Sequence, residues 1–318
     1  MADLKKTLPA LALAFGALAT TPSFADDTIA SSADNTFWLS GSVGLMDITA
    51  REYVNGPGFK LSQLDWESKH VMLYSGTIGA EFADDWTITA KFDFGAGGNG
   101  DMADYDWVPP YPTDNSKDGW SHRSLHPRTD LNHYLAGTLE IGRKVAVTDT
   151  GSLGISGGFK YTDVQWDARG GSYIYSSGGF RNDIGEFKDA TVITYRQRIP
   201  SAFLGVNGSQ SFDRLTLSAG VKGGLTFGIN DVDDHWLRNT RFKGSMDAAP
   251  MMMIDASADY KVASNVSIFL AGSFENVFRA DGDISSYERT SGTRSNTAGA
   301  AGASFQTMSI KFGLKGTF

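Results

Sequence analysis

No cysteine occurs among the 318 residues, which excludes a disulfide scaffold. A basic excess is missing too, since 28 Lys and Arg stand against 36 Asp and Glu for a formal charge of −8. That balance carries no footprint for nucleic acid and favours basic partners. Beyond residue 25 there is no long apolar run. The nearest candidate, residues 248–254, is far shorter than the ~18–20 residues of a membrane helix, so helical membrane spans are excluded there. Hydrophobic residues nevertheless make up 41% of the chain, which argues against disorder and against collagen.

What is present begins with a processing signal. Lys5 and Lys6 precede an apolar stretch over residues 8–19, and Ser23-Phe24-Ala25 supplies a small-x-small cleavage pattern. Residues 1–25 therefore read as a secretory signal peptide, and residues 26–318 as a single exported domain.

Within that domain the hydropathy has a period of two. Leu215, Leu217, Ala219, Val221, Gly223, Leu225, Phe227 and Ile229 alternate with Thr216, Ser218, Gly220, Lys222, Gly224, Thr226 and Gly228. The run is about twice the usual length of a strand in a soluble sheet. Trp86, Ile88, Ala90, Phe92 and Phe94 repeat the pattern, as do Val266, Ile268 and Leu270, and Met308, Ile310, Phe312 and Leu314 before the terminal Phe318. A signal peptide followed by long amphipathic strands favours a transmembrane barrel over a secreted β-sandwich.

The expected spans are 37–54, 60–82, 85–104, 130–146, 152–169, 188–210, 213–232, 242–261, 265–279 and 303–318. Short turns near residues 83–85, 148–151, 213 and 263–264 contrast with long Gly-, Ser-, Asp- and Asn-rich segments at 97–130, 168–188, 230–245 and 280–303. The fold class is all-β: a ten-stranded antiparallel transmembrane β-barrel extending above the outer membrane, with long extracellular loops and short periplasmic turns. Barrels of about eight strands are filled by side chains and open channels need ~16, so a general porin is excluded. Function is expected at the projecting rim.

Two polar clusters lie where an expected span enters a long loop. In extended chain, residues two apart share a side, so Asp104 with Asp106, and Asp233 with His235, form pairs. Paired carboxylates share a proton, while a carboxylate beside a histidine orients the ring. Such a set suits water activation and hydrolysis without a covalent intermediate. Three other readings stand beside it: solvated loop acids, a calcium loop using Asp101, Asp104 and Asp106 but lacking EF-hand spacing, and a serine nucleophile at Ser124 beside a histidine.

Several segments carry a resemblance: Ser62-Gln63-Leu64-Asp65-Trp66, Asp104-Tyr105-Asp106-Trp107, Arg169-Gly170-Gly171-Ser172-Tyr173-Ile174-Tyr175-Ser176-Ser177, Phe180-Arg181-Asn182-Asp183-Ile184-Gly185 and Asp233-Asp234-His235. In order and content they resemble the omptin family of outer-membrane proteases, from about residue 37 to Phe318. The resemblance implies a hydrolase whose extracellular cleft cuts peptides at basic residues, with Asp104, Asp106, Asp233 and His235 as its catalytic tetrad. It also implies roles: His235 and Asp104 activate the water, Asp233 orients His235, and Asp106 polarises or protonates the scissile peptide.

Asp231 and Glu52 match the family's acidic residues for the basic side chain before the cut, although the first loop is shorter here. His122 and Leu125 stand where family members can carry Asp and Arg, so altered preference beyond the cut is expected; His126 reads as structural. The resemblance implies no metal and no cofactor, and it makes lipopolysaccharide a partner and a candidate requirement for activity. Arg198 matches one lipid-binding position, whereas Phe159, Tyr161 and Asp163 depart from the pattern. Nothing in the strands demands an oligomer, and a monomer is compatible with them. The competing class is a non-enzymatic outer-membrane barrel serving as an adhesin or structural protein.

Overall fold

The computed structural model describes residues 36–82, 85–114 and 116–318. The signal peptide expected at 1–25 lies outside them, as does most of the turn expected at 83–85. Fifteen strand segments follow in order: β1 (Thr36–Gly56), β2 (Phe59–Phe82), β3 (Trp86–Ala96), β4 (Asn99–Asp106), β5 (His122–Val147), β6 (Gly151–Arg169), β7 (Ser172–Tyr175), β8 (Asp183–Glu186), β9 (Thr191–Phe212), β10 (Leu215–Thr226), β11 (Asn230–His235), β12 (Thr240–Met246), β13 (Pro250–Ala263), β14 (Val266–Glu288) and β15 (Arg294–Thr317).

All belong to one sheet, and their antiparallel pairing returns to its start. The circuit runs β1, β2, β3, β5, β6, β9, β10, β13, β14, β15 and back to β1. A closed circuit leaves no edge, which a sheet immersed in hydrocarbon requires.

Alternation decides which side chains meet lipid. Val43 is in register with Tyr74 on one side and Phe312 on the other, and all three are exposed, at 42%, 45% and 52%. Leu45, Met72 and Ile310 make the next such row. Side chains of opposite parity fill the lumen. At the height of this oily belt Lys91 meets Asp93 at 2.7 Å, Lys222 meets Glu140 at 2.5 Å, and Lys160 pairs with Glu275. They leave an internal cavity of about 130 Å³, against a porin's open water-filled channel.

The segments outnumber the ten expected spans because rim strands are polar and broken. Expected span 85–104 becomes β3 and β4, which share both neighbours, β2 and β5. The break is Gly97-Gly98, at φ 69° and 93°; a Cβ on Gly98 would sit 2.8 Å from the Lys69 carbonyl oxygen, so only glycine fits. Spans 213–232 and 242–261 divide likewise into β10 with β11 and β12 with β13. Two short strands, β7 and β8, arise inside the expected loop 168–188. Most of 230–245 and 280–303 is also strand, held by cross-strand hydrogen bonds that carry no apolar alternation.

Above the belt the lumen is closed by three aromatic rings. Trp66 stacks on Tyr195 at 5.3 Å with planes 13° apart, and on Trp166 at 6.0 Å. Each ring is fully buried, and Trp166 Nε1 donates to Ser68 Oγ at 2.9 Å. This layer makes a rigid floor for whatever lies above it.

The belt gives a direct test. Val221 faces outward on β10 between Val206 and Ile254, so Val221→Arg should cost roughly 2–4 kcal/mol. The measurement is the denaturant midpoint of the protein refolded in phospholipid vesicles; an unchanged midpoint would remove Val221 from the lipid-facing surface.

Candidate active site

Three strands bring the acidic residues together. β4 carries Asp104 and Asp106, in register with Leu64 and Ser62 on β2 and with Ser124 and His122 on β5. β11 carries Asp231, Asp233 and His235 on one face, paired with Gln197, Tyr195 and Ile193 of β9. β1 carries Glu52, between Leu64 and Ala303. Glu52, Asp231, Asp233 and His235 are buried, while Asp104 and Asp106 are half-buried.

Of the two expected pairs, Asp233 and His235 are in direct contact, and Asp104 and Asp106 share one side of β4. His235 Nε2 lies 2.5 Å from Asp233 Oδ2. On its other side Arg238 Nη2 donates to His235 Nδ1. A guanidinium can only donate, so Nδ1 holds the lone pair and Nε2–H donates to Asp233. The ring also sits edge-on to Phe242 at 5.3 Å. Across the lumen, Ser62 Oγ donates to Asp104 Oδ1 at 3.3 Å.

Charge ties the two halves together. Burial pushes the Asp104 carboxyl well above its ordinary range, and the neighbouring Asp106 adds to the rise. Asp233 also pushes it up, while Arg238 pulls down. Burial raises Asp106 as well, opposed by Ser62, Arg238, His122 and His235. Asp104 and Asp106 thus sense Asp233 and His235 respectively, as neighbours of one cleft.

The pocket acids are held back more firmly. Glu52 is raised by burial first and then by Asp233, Asp231 and Asp104, and its Oε2 has no partner. Asp231 accepts from Gly244 N at 2.7 Å and from the Tyr195 hydroxyl at 3.3 Å. Burial still pushes it up to about 7. Asp233 Oδ1 and both polar side-chain atoms of Gln197 are likewise buried without partners.

Other candidates separate from this cleft. Alternation turns Asp101 outward, away from Asp104 and Asp106, so the three acids of the calcium reading do not converge. Ser124 Oγ does meet His126 Nε2 at 2.9 Å, but both are sealed: His126 Nδ1 donates to the Gly170 carbonyl at 2.5 Å and its ring stacks on Phe187. Burial lowers the His126 pKa, as befits a neutral structural histidine. His122 donates from Nε2 to the Ser176 carbonyl at 3.1 Å and lies between Tyr111 and Tyr175.

Arg198 is on the outer wall, bonded to Asn230 at 3.3 Å. Asp163 beside it accepts from Arg196 Nε at 2.8 Å and lies 3.1 Å from His133 Nε2. Phe159 and Tyr161 are exposed on the same wall.

The sequence reading missed Arg238, whose place in a turn carries no periodic signal. It also missed the Tyr195 hydroxyl beneath Asp231; the alternation of β9 could have put that residue inside. A further clamp is Asp234, which faces away from the cleft and receives Arg241 in two bonds of 2.7 Å together with Arg289. It ties β11 to β12 and to the chain following β14.

The omptin family model matches residues 33–318. Protease 7 from Escherichia coli strain K12 is 29% identical over 95% of this chain and 98% of its own. The plasminogen activator of Yersinia pestis is 27% identical over 89% and 90%. The crystal structure of the outer membrane protease OmpT from Escherichia coli superposes with a TM-score of 0.82 at 28% identity, covering 89% of this chain and 97% of that one.

The raised acid at the pocket base has a consequence for stability. Between the ordinary carboxylate range and about pH 7 the folded chain keeps a proton on Asp231 that the unfolded chain has released. Stability contributed there is present at low pH and lost as pH rises through the folded value. Asp231→Asn, which can still accept from Gly244 N and donate from Nδ2 to the Tyr195 hydroxyl oxygen, should flatten this slope and raise stability on the alkaline side by on the order of a few kcal/mol. Denaturant midpoints of both proteins from about pH 4 to about pH 8 measure it; parallel curves would refute it.

Proposed function

This chain belongs to the omptin family, and from that premise we propose that it is an endopeptidase of the bacterial outer membrane, cutting peptides and proteins at Arg or Lys through its cleft on the extracellular side. The observation that carries the reading is the His235–Asp233 hydrogen bond facing a carboxylate pair that senses its charge.

The chemistry follows from these atoms. Asp233 holds His235 with the Nε2 proton engaged, which leaves Nδ1 as the base. A water between Nδ1 and Asp104 is polarised from both sides and attacks the scissile carbonyl. The Asp104–Asp106 pair, whose full ionisation burial and mutual repulsion disfavour, keeps one proton, which Asp106 hands to the departing nitrogen. Separating the acid and base roles in this way supports hydrolysis without a covalent enzyme intermediate.

Specificity has an electrostatic origin. Glu52 and Asp231 repel each other's charges in a dry pocket. A guanidinium or ammonium between them relieves that repulsion and supplies N–H donors to the unpartnered Glu52 Oε2. A neutral guest does neither. His122 in its aromatic surroundings replaces a carboxylate of the family pattern, which weakens attraction for a second basic residue beyond the cut. On the outer wall, Arg198 is the residue for a lipopolysaccharide phosphate, with Asp163 already engaged by Arg196 and His133.

The test is cleavage of a quenched fluorescent peptide with one Arg-Lys pair, by refolded protein with and without lipopolysaccharide. Cleavage at the pair is expected, with kcat falling about 10²–10⁴-fold in Asp104→Ala and His235→Ala. Activity confined to the lipid-containing sample would make the lipid a requirement. No cleavage by a protein of native heat-modifiable mobility would favour the adhesin or structural barrel.

A further inference from the structure

Adding water to a peptide carbonyl puts negative charge on the carbonyl oxygen, and that charge needs donors or a cation. The cleft instead gathers Glu52, Asp104, Asp106, Asp231 and Asp233. Among the described residues, Arg238 is a cation whose charge acts on both of its paired carboxylates. Arg238 sits in the turn between β11 and β12, where Asn239 N donates to the Trp236 carbonyl at 3.2 Å and Arg289 N to the Asn239 carbonyl at 3.0 Å. Asn239 Nδ2 adds a bond to Thr290 Oγ1 at 2.8 Å. The turn backbone is thus tied on both sides of Arg238, while its side chain stays exposed. The guanidinium lies 6.0 Å from the Phe242 ring centre and donates to His235 Nδ1. Its charge bears on Asp104 and Asp106 alike, while its hydrogen bond is to His235 of the other half.

We propose that Arg238 is a further catalytic residue: with a peptide in the cleft, its guanidinium passes from His235 Nδ1 to the scissile carbonyl oxygen and holds the negative charge that forms there. This rests on the water-activation reading above. Nδ1 is the ring nitrogen left for the water once Nε2 is bound to Asp233, so a guanidinium fixed there would disable the base. Displaced by the water, it is free to turn to the carbonyl oxygen. Its five donors in a planar fork allow it to meet that oxygen while still facing a carboxylate.

The step balances as follows. One water proton moves to Nδ1, the water oxygen bonds to the carbonyl carbon, and the π pair moves onto the carbonyl oxygen opposite Arg238. On collapse that pair re-forms the carbonyl and the C–N bond breaks. The nitrogen takes through Asp106 the proton that the Asp104–Asp106 pair shares, and His235 then returns a proton to the pair.

The experiment compares wild type, Arg238→Ala and Arg238→Lys on the Arg-Lys peptide at saturating concentration, with and without added guanidinium chloride at low millimolar concentration. Arg238→Ala should lose about 10²–10³-fold in kcat with KM changed little. Arg238→Lys should fall between, and guanidinium should restore part of kcat in Arg238→Ala while leaving wild type unimproved.

A kcat equal to or above wild type would make Arg238 a removable cover on His235 and overturn the proposal. So would a change in KM alone, or a loss that neither lysine nor guanidinium repairs. Wild type that cleaves while Asp104→Ala does not isolates these outcomes from failure of the water-activation reading; inactive wild type would overturn both.

Discussion

Peptide groups in hydrocarbon find no water, so each strand crossing the membrane must be hydrogen-bonded along both edges. The rest of this molecule follows from that requirement. It closes the circuit from β1 round to β15, and closure sets every register. Because side chains alternate, a one-residue slip would exchange the lipid-facing row of Val43, Tyr74 and Phe312 for lumenal polar residues. The same register, continued above the belt, turns Asp104, Asp106, Asp231, Asp233 and His235 inward. Membrane insertion and assembly of the acidic cleft are two consequences of one pairing scheme.

The cleft works against stability. Buried acids raise one another's pKa values, and Glu52 Oε2, Asp233 Oδ1 and the Gln197 amide find no partner. Such groups cost free energy unless a ligand or proton satisfies them. The opposing contributions come from layers around the site: the stacked Trp66, Trp166 and Tyr195 below it, and the Asp234 clamp with Arg241 and Arg289 outside it. These layers hold the acidic side chains together where their own interactions would drive them apart.

Legibility in the sequence followed the physical signal. The oily belt was readable because lipid imposes strict period-two hydropathy, as in Leu215 to Ile229. Asp233 and His235 were readable as a pair because two-residue spacing has one meaning in extended chain. The rim strands β7 and β8 were not, nor was the strand inside the expected loops 230–245 and 280–303, since their cross-strand hydrogen bonds carry no apolar alternation. Asp101 shows the same limit in a single residue: its closeness to Asp104 in sequence suggested a shared site, and its odd spacing sends it to the other face. The sealing of Ser124 and His126 against Gly170 and Phe187 joins residues over forty positions apart and leaves no local trace.

By itself the amino-acid order determined the fold class, the oily belt and the family, and put Asp104 with Asp106 and Asp233 with His235 on one side of the chain, because alternation and motif content are local properties. Only the tertiary structure decided that the clusters meet across the lumen, that Tyr195 and Gly244 support Asp231, and that Arg238 lies on His235. Those relations join strands distant in sequence, and closure of the barrel places them.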